Sequence, residues 1–290
     1  MSRLSDIVLP TEAKARQLVT DRGTFAALDA APGPGTLPLG SALLLPGFTG
    51  SKEDFIPLLA PLARAGFRVL AVDGRGQHET DGPRAVSAYA QAELAGDVRA
   101  QAAAIAAEVP GPAHLLGHSF GGLVARAAVL SSAQPPPWAS LTLMNVGPAV
   151  VDAPQQGRTR MLVDALSTTD MASIWEAMRA LDPRTTPDED PEVAAFMRRR
   201  WLNHVPEQLI ATGEQLLNEP DRVAELARVG LPTLVISGAE DPTWPVPWQD
   251  DMARRLGARR VVIANAGHSP NISHPVETAR ALVDFWASAG

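Results

Sequence analysis

Short, almost wholly apolar runs recur along the chain: Ser41–Leu45, Phe67–Val72, Ala113–Gly117, Ser140–Val146, Pro232–Ser237 and Arg260–Ala264. A run without polar alternation is the signature of a strand buried on both faces. Between these runs, apolar positions return every three or four residues, which predicts helices. They are expected over Asp54–Ala65, closed by Gly66, and over Ser87–Glu108, with Leu94, Val98, Ala102 and Ile105 on one face. Leu123–Leu130, Trp248–Leu256 and Pro275–Ser288 read the same way. Upstream, Ala15–Thr20 and Thr24–Asp29 flank Asp21-Arg22-Gly23, the pattern of a β-hairpin. Loops are expected at Ala30–Gly40 and at the proline-rich Gln134–Pro137.

Strands alternating with helices predict an α/β fold, a mostly parallel sheet with helices on both faces. The alternation stops after the sixth strand. Four helical pieces follow, Arg158–Ser167, Met171–Leu181, Glu192–His204 and Glu207–Leu217, before the strands resume. The expected organisation is a core domain over residues 1–149 and 228–290, interrupted by a helical cap at 150–227. In such sheets ligands bind beyond the C-terminal ends of the strands.

Composition narrows the function. A formal charge of −7 argues against a nucleic-acid surface. Without cysteine there is no disulfide framework, thiolate nucleophile or zinc–thiolate site. Met1–Pro10 has no continuous apolar stretch of the secretory type, and no run is long enough to cross a bilayer. The expectation is a cytoplasmic monomer or homodimer that acts on a small molecule without a metal or organic cofactor.

The chemistry centres on Gly117-His118-Ser119-Phe120-Gly121, a G-x-S-x-G pentapeptide between a strand and a helix. The sharp turn it implies forces the Ser119 backbone into a cramped conformation and holds its hydroxyl at a helix N-terminus, where the Phe120 N–H is free to meet an oxyanion. A serine hydroxyl is a poor nucleophile without a base, and the base needs an orienting carboxylate. In the chain order Ser…Asp/Glu…His, His268 follows the last strand, and Asp241, with Glu240 beside it, follows the strand before. His274 is a substitute base more suited to capping the final helix. His114 and His118 read as structural, while His78 and His204 are open as pocket-border residues. The Phe48 N–H, after Gly47, is the candidate second oxyanion donor.

With Pro46-Gly47-Phe48, Asp73-Gly74-Arg75-Gly76, Gly117–Gly122, Gly238 with Asp241, and Gly267-His268, the chain resembles the α/β-hydrolase superfamily over nearly its whole length. The resemblance implies Ser119 as nucleophile, Asp241 as acid, His268 as base, and the Phe48 and Phe120 amides as the oxyanion hole. It departs in one place. Many members carry His-Gly where this chain has Pro46-Gly47, so one side-chain support of the oxyanion loop is missing.

The expected activity is hydrolysis of a small or medium hydrophobic ester or lactone. The same triad also serves carbon–carbon bond hydrolysis, cofactor-free perhydrolysis, or a lyase or cyclase step, and fold cannot separate these. A non-catalytic ligand receptor is the alternative of a different class. Met144, Trp175, Trp201 and Trp244 are the expected substrate contacts, with Asn145 beside them.

Overall fold

A computed structural model describes residue 4 and residues 7–109, 111–133, 136–181 and 190–289. Part of the expected proline loop, at 134–135, lies outside these. The strands are β1 (Ala13–Thr20), β2 (Gly23–Ala30), β3 (Gly40–Leu45), β4 (Phe67–Val72), β5 (Ala113–His118), β6 (Trp138–Met144), β7 (Thr233–Gly238) and β8 (Arg259–Ile263). They form one sheet in the order β1-β2-β4-β3-β5-β6-β7-β8. The β1–β2 hairpin and the β2–β4 pair are antiparallel, and every later pair is parallel.

Side chains alternate between two cores, as the two-residue period of a strand requires. Leu43 and Leu45 of β3, Leu70 and Val72 of β4, Leu115 of β5 and Val235 of β7 enter one apolar cluster. Their neighbours Ala42, Leu44, Val69, Ala71, Leu116, Leu234 and Ile236 enter the other. The first core is closed by α2 (Gln91–Glu108) and α3 (Phe120–Leu130), and the second by α1 (Ile56–Arg64) and α11 (Pro275–Ala289). Burial on both faces explains why these strands lack polar alternation.

Several helix ends differ from expectation. Lys52–Phe55 is a 3₁₀ turn, so α1 begins only at Ile56, and Val86–Tyr89 is another ahead of α2. The helix after Ser119 starts at Phe120 rather than Leu123, with Gly121 against the Leu45 and Pro46 carbonyls and Gly122 against the Val146 side chain. Between β6 and β7 lie α4 (Ala153–Leu166), α5 (Met171–Leu181), α6 (Pro191–Asn203), α7 (Pro206–Asn218) and a short α8 (Val223–Ala227). Ile174, Trp175, Val193, Phe196, Met197, Trp201 and Leu209 give this segment an apolar core of its own. The C-terminal part adds α9 (Val246–Leu256) and the single turn α10 (Pro270–Ser273). No helix among the described residues is long and apolar enough to cross a membrane.

Strand order reverses at β3, since β4 lies on one side of it and β5 on the other. The crevice beyond the C-terminal ends of β3 and β5 is therefore the place where such a sheet holds a ligand.

Candidate active site

β5 delivers Ser119 to that crevice. Its backbone sits at φ 54°, ψ −125°, a strained region for a residue with a side chain. Two glycines make the turn possible. A Cβ on Gly117 would run into the Gly121 backbone, and one on Gly121 would lie 2.5 Å from the carbonyl oxygens of Leu45 and Pro46. The Ser119 N–H donates to the Met144 carbonyl at 2.9 Å, tying the turn to β6.

The structure brings three sequence-distant side chains together. Ser119 Oγ lies 2.9 Å from His268 Nε2, and His268 Nδ1 lies 2.8 Å from Asp241 Oδ1. A carboxylate only accepts, so His268 carries its proton on Nδ1 and presents a lone pair on Nε2 to the hydroxyl. The Asp241 side chain is wholly buried while His268 is about a quarter exposed, so of this pair only His268 reaches solvent. Burial by itself would raise the Asp241 pKa. The hydrogen bond and positive charge of His268 outweigh it, with help from the Thr243 N–H and Asn145, and hold the carboxyl below its ordinary range.

Sequence reasoning missed how the acid is held. Asn145 and Gln249 donate to its second oxygen at 3.0 and 2.9 Å, so both oxygens are engaged. Asn145 therefore faces the acid, not an acyl group. Its positive φ of 52°, which Asn tolerates better than most residues, turns it toward Asp241 directly after β6. His118 braces His268 from the other side. It donates from Nε2 to the His268 carbonyl at 2.8 Å, and burial pushes its pKa down to about 3, so it stays neutral.

A cavity of about 500 Å³ opens above Ser119 and His268, lined also by Gly47, Phe48, Val151, Gln155, Arg158, Leu216, Glu240 and Ile272. The four expected substrate contacts are not among its walls. Met144 is fully buried in the second sheet core, because its position on β6 points away from the crevice. Trp175 and Trp201 face inward to the α4–α7 core, where the Trp201 indole N–H bonds the Met171 carbonyl at 2.7 Å. Trp244 is fully buried with its ring 6.2 Å from that of His268, and it donates to the Ala149 carbonyl at 3.0 Å. It packs beside His268 as part of the first sheet core.

The N–H of Phe120, first residue of α3, has no partner within its own helix. Among the described residues no acceptor meets it or the N–H of Phe48. The Phe48 ring packs between the sheet core and the α4–α7 core.

Behind the Phe48 loop lies a charged cluster. The ammonium of buried Lys52 bonds Asp73, Glu53 and Glu79 at 2.7–2.8 Å, and its backbone N–H bonds Asp73 again. Burial pushes the Asp73 carboxyl up to about 7, against the pull of Lys52. Glu53, His78 and Glu79 bring ligand atoms within 4.8 Å of one another, but Lys52 already supplies a cation to both carboxylates. Arg200 of α6 adds a buried ion pair to Asp54 at 2.6 Å, and His204 Nε2 lies 3.2 Å from the Gly50 carbonyl. His78 and His204 are thus packed beneath the loop and do not border the cavity.

The model of the alpha/beta hydrolase family matches residues 42–281. The chain belongs to this family. It is 30% identical over 258 residues to a Variovorax paradoxus protein provisionally named carbamate hydrolase RutD, covering 86% of this chain and 92% of that one. It is 31% identical over 204 residues to the pimeloyl-[acyl-carrier protein] methyl ester esterase of Neisseria meningitidis, 65% of this chain and 62% of that protein. Among solved structures, a Pseudomonas aeruginosa hydrolase superposes with a TM-score of 0.73 at 25% identity, covering 94% of this chain and 98% of that one. This alpha/beta hydrolase is accordingly a hydrolytic enzyme, with an eight-stranded, mostly parallel sheet.

Proposed function

We propose that this enzyme cleaves a small or medium carboxylic ester or lactone through an acyl-enzyme on Ser119. The observation that carries the reading is the continuous chain from Asp241 Oδ1 through His268 to Ser119 Oγ, 2.8 and 2.9 Å, at the floor of the cavity.

In this mechanism His268 Nε2 takes the Ser119 proton as Oγ attacks the carbonyl carbon. Asp241 stabilises the imidazolium and keeps the ring in its productive tautomer. The Phe48 and Phe120 N–H groups receive the developing oxyanion. His268 then protonates the leaving alcohol, and a water activated by the same nitrogen releases the acid and restores Ser119. Similarity to proteins named as a carbamate hydrolase and a methyl ester esterase supports hydrolysis at a carbonyl bearing a heteroatom.

The cavity is of the size that holds a small-molecule ligand. Phe48, Val151, Leu216 and Ile272 suit an apolar body, whereas Gln155, Arg158 and Glu240 give the walls a polar share that a purely hydrophobic substrate would leave unused. The residues 150–227 act in this reading as a cap, since Val151, Gln155, Arg158 and Leu216 come from them.

The test is turnover of p-nitrophenyl acetate, butyrate and octanoate by wild type and Ser119→Ala, alongside labelling by a fluorophosphonate mapped by mass spectrometry. Turnover and labelling on Ser119 in wild type, both lost in the variant, are expected. Labelling without ester turnover would move the assignment to carbon–carbon or lyase chemistry. Absence of labelling would remove the activated serine and leave a ligand receptor.

A further inference from the structure

The N–H of Phe48 and the C=O of Gly47 belong to one planar trans peptide and point in opposite directions. Whatever holds that carbonyl therefore sets where the amide points. The carbonyl accepts two hydrogen bonds. One, from the Gly50 N–H at 3.1 Å, closes a turn inside the loop and travels with it. The other comes from outside the loop, from Gln77 Nε2 at 3.0 Å, on the segment that follows β4.

Gln77 is itself fixed. It is 5% exposed, and its Oε1 accepts the Gly74 N–H at 2.9 Å. A backbone N–H only donates and a carbonyl only accepts, so the two contacts define which end of the amide is which. The loop separates two spaces. Behind it, Pro46, Gln77 and Phe120 line a small cavity of about 40 Å³. In front, Gly47 and Phe48 line the large cavity with Ser119, and a Cβ on Gly47 would stand 3.6 Å from Ser119 Oγ.

We propose that Gln77 is a positioning residue for the oxyanion hole. By holding the Gly47 carbonyl on the rear side, it keeps the Phe48 N–H aimed at the space beside Ser119 Oγ. The proposal rests on the reading of Ser119 as nucleophile and the Phe48 amide as oxyanion donor. Rotation of this one peptide would place a carbonyl lone pair where the donor must be, and repulsion would replace attraction. The Gly50 bond opposes this only from within the loop, whereas Gln77 opposes it from a separate segment of the chain.

Two substitutions separate positioning from packing. Gln77→Leu keeps the volume and removes the donor. Complete loss of an oxyanion donor costs about 10²–10³ in rate. A donor that is present but poorly aimed loses less, so kcat for p-nitrophenyl butyrate should fall about tenfold or more with KM within about twofold. Affinity for a boronic acid, which forms a tetrahedral adduct on the serine, should fall in parallel.

Gln77→Glu can still accept from Gly74, but donates to Gly47 only when protonated, and burial holds such a proton to higher pH than in water. The ratio of variant to wild-type kcat should therefore rise as pH is lowered from 8.5 to 5.5, while the Gln77→Leu ratio stays flat. A folded Gln77→Leu enzyme with wild-type kcat and boronate affinity would overturn the proposal. Should that variant not fold, the Gln77→Glu ratio decides alone: a rise supports the anchor and a flat ratio overturns it. A wild type that neither labels nor turns over esters would instead refute the underlying reading, so the two failures are distinct.

Discussion

Asn145 donates to the very oxygen of Asp241 that His268 leaves free, at 3.0 Å, and Gln249 donates to the same atom at 2.9 Å. The two amides come from the end of β6 and from α9, so Asp241 is clamped between two elements. Removing either leaves one donor, whereas removing both leaves a buried carboxylate oxygen bare. Each Leu variant should lose about 1–3 kcal/mol of stability. The double variant should lose more than the sum, because the sites share one acceptor. Urea unfolding of the four proteins measures the coupling, and simple additivity would show that the clamp is not shared.

Arg200 and Asp54 form an ion pair with both side chains fully buried, joining α6 to the 3₁₀ turn after the Phe48 loop. A charge stranded by loss of its partner is costly, commonly about 3–5 kcal/mol, whereas replacing both partners is far milder. Arg200→Met should therefore destabilise strongly, and adding Asp54→Asn should recover much of the loss. Thermal unfolding of the single and double variants reads this directly. A double variant no better than Arg200→Met would contradict it.

The backbone of Ser119 carries strain that a residue without a Cβ would not feel. Strain of this type costs about 1–3 kcal/mol, partly offset by the greater chain entropy of glycine when unfolded. Ser119→Gly should be inactive yet more stable than the equally inactive Ser119→Ala, by about 1 kcal/mol. Equal melting temperatures would mean that the turn is unstrained.

Burial pushes the imidazoles of His78, His114 and His204 down to about 4 and that of His118 to about 3. Each takes up a proton on unfolding once the pH is below the ordinary value of about 6.5. Their contribution is thus complete above that pH and is lost as pH falls toward 4. Asp73, raised to about 7, acts the other way, since the folded chain keeps a proton there that the unfolded chain releases. The four imidazoles less Asp73 give a net uptake near pH 5 of roughly three protons, so stability should fall by roughly 4 kcal/mol per pH unit on acidification. Urea midpoints between pH 6.5 and 4.5 test this. A flat profile would require these histidines to be open to water.

Strand ends were readable because fully apolar runs and the glycine turns after them are local patterns. Ser119, Asp241 and His268 lay at three such ends, which is why their meeting was foreseeable from order alone. The failures share a different cause. Trp175, Trp201 and Met144 sit at spacings that reveal a buried face without revealing what it is buried against. The supports were invisible for a further reason. Gln77 reaches Gly47 across thirty residues and Asn271 reaches the Asp54 carbonyl across 217, and no local pattern encodes such pairs.

The two halves of the Ser119–His268 hydrogen bond are 149 residues apart, and the histidine follows the last strand of the sheet. Under the proposed mechanism the hydroxyl therefore lacks its base until β8 is docked against β7 and His268 lies over the elbow. On that reading, turnover would report that the β5–β8 half of the sheet has assembled.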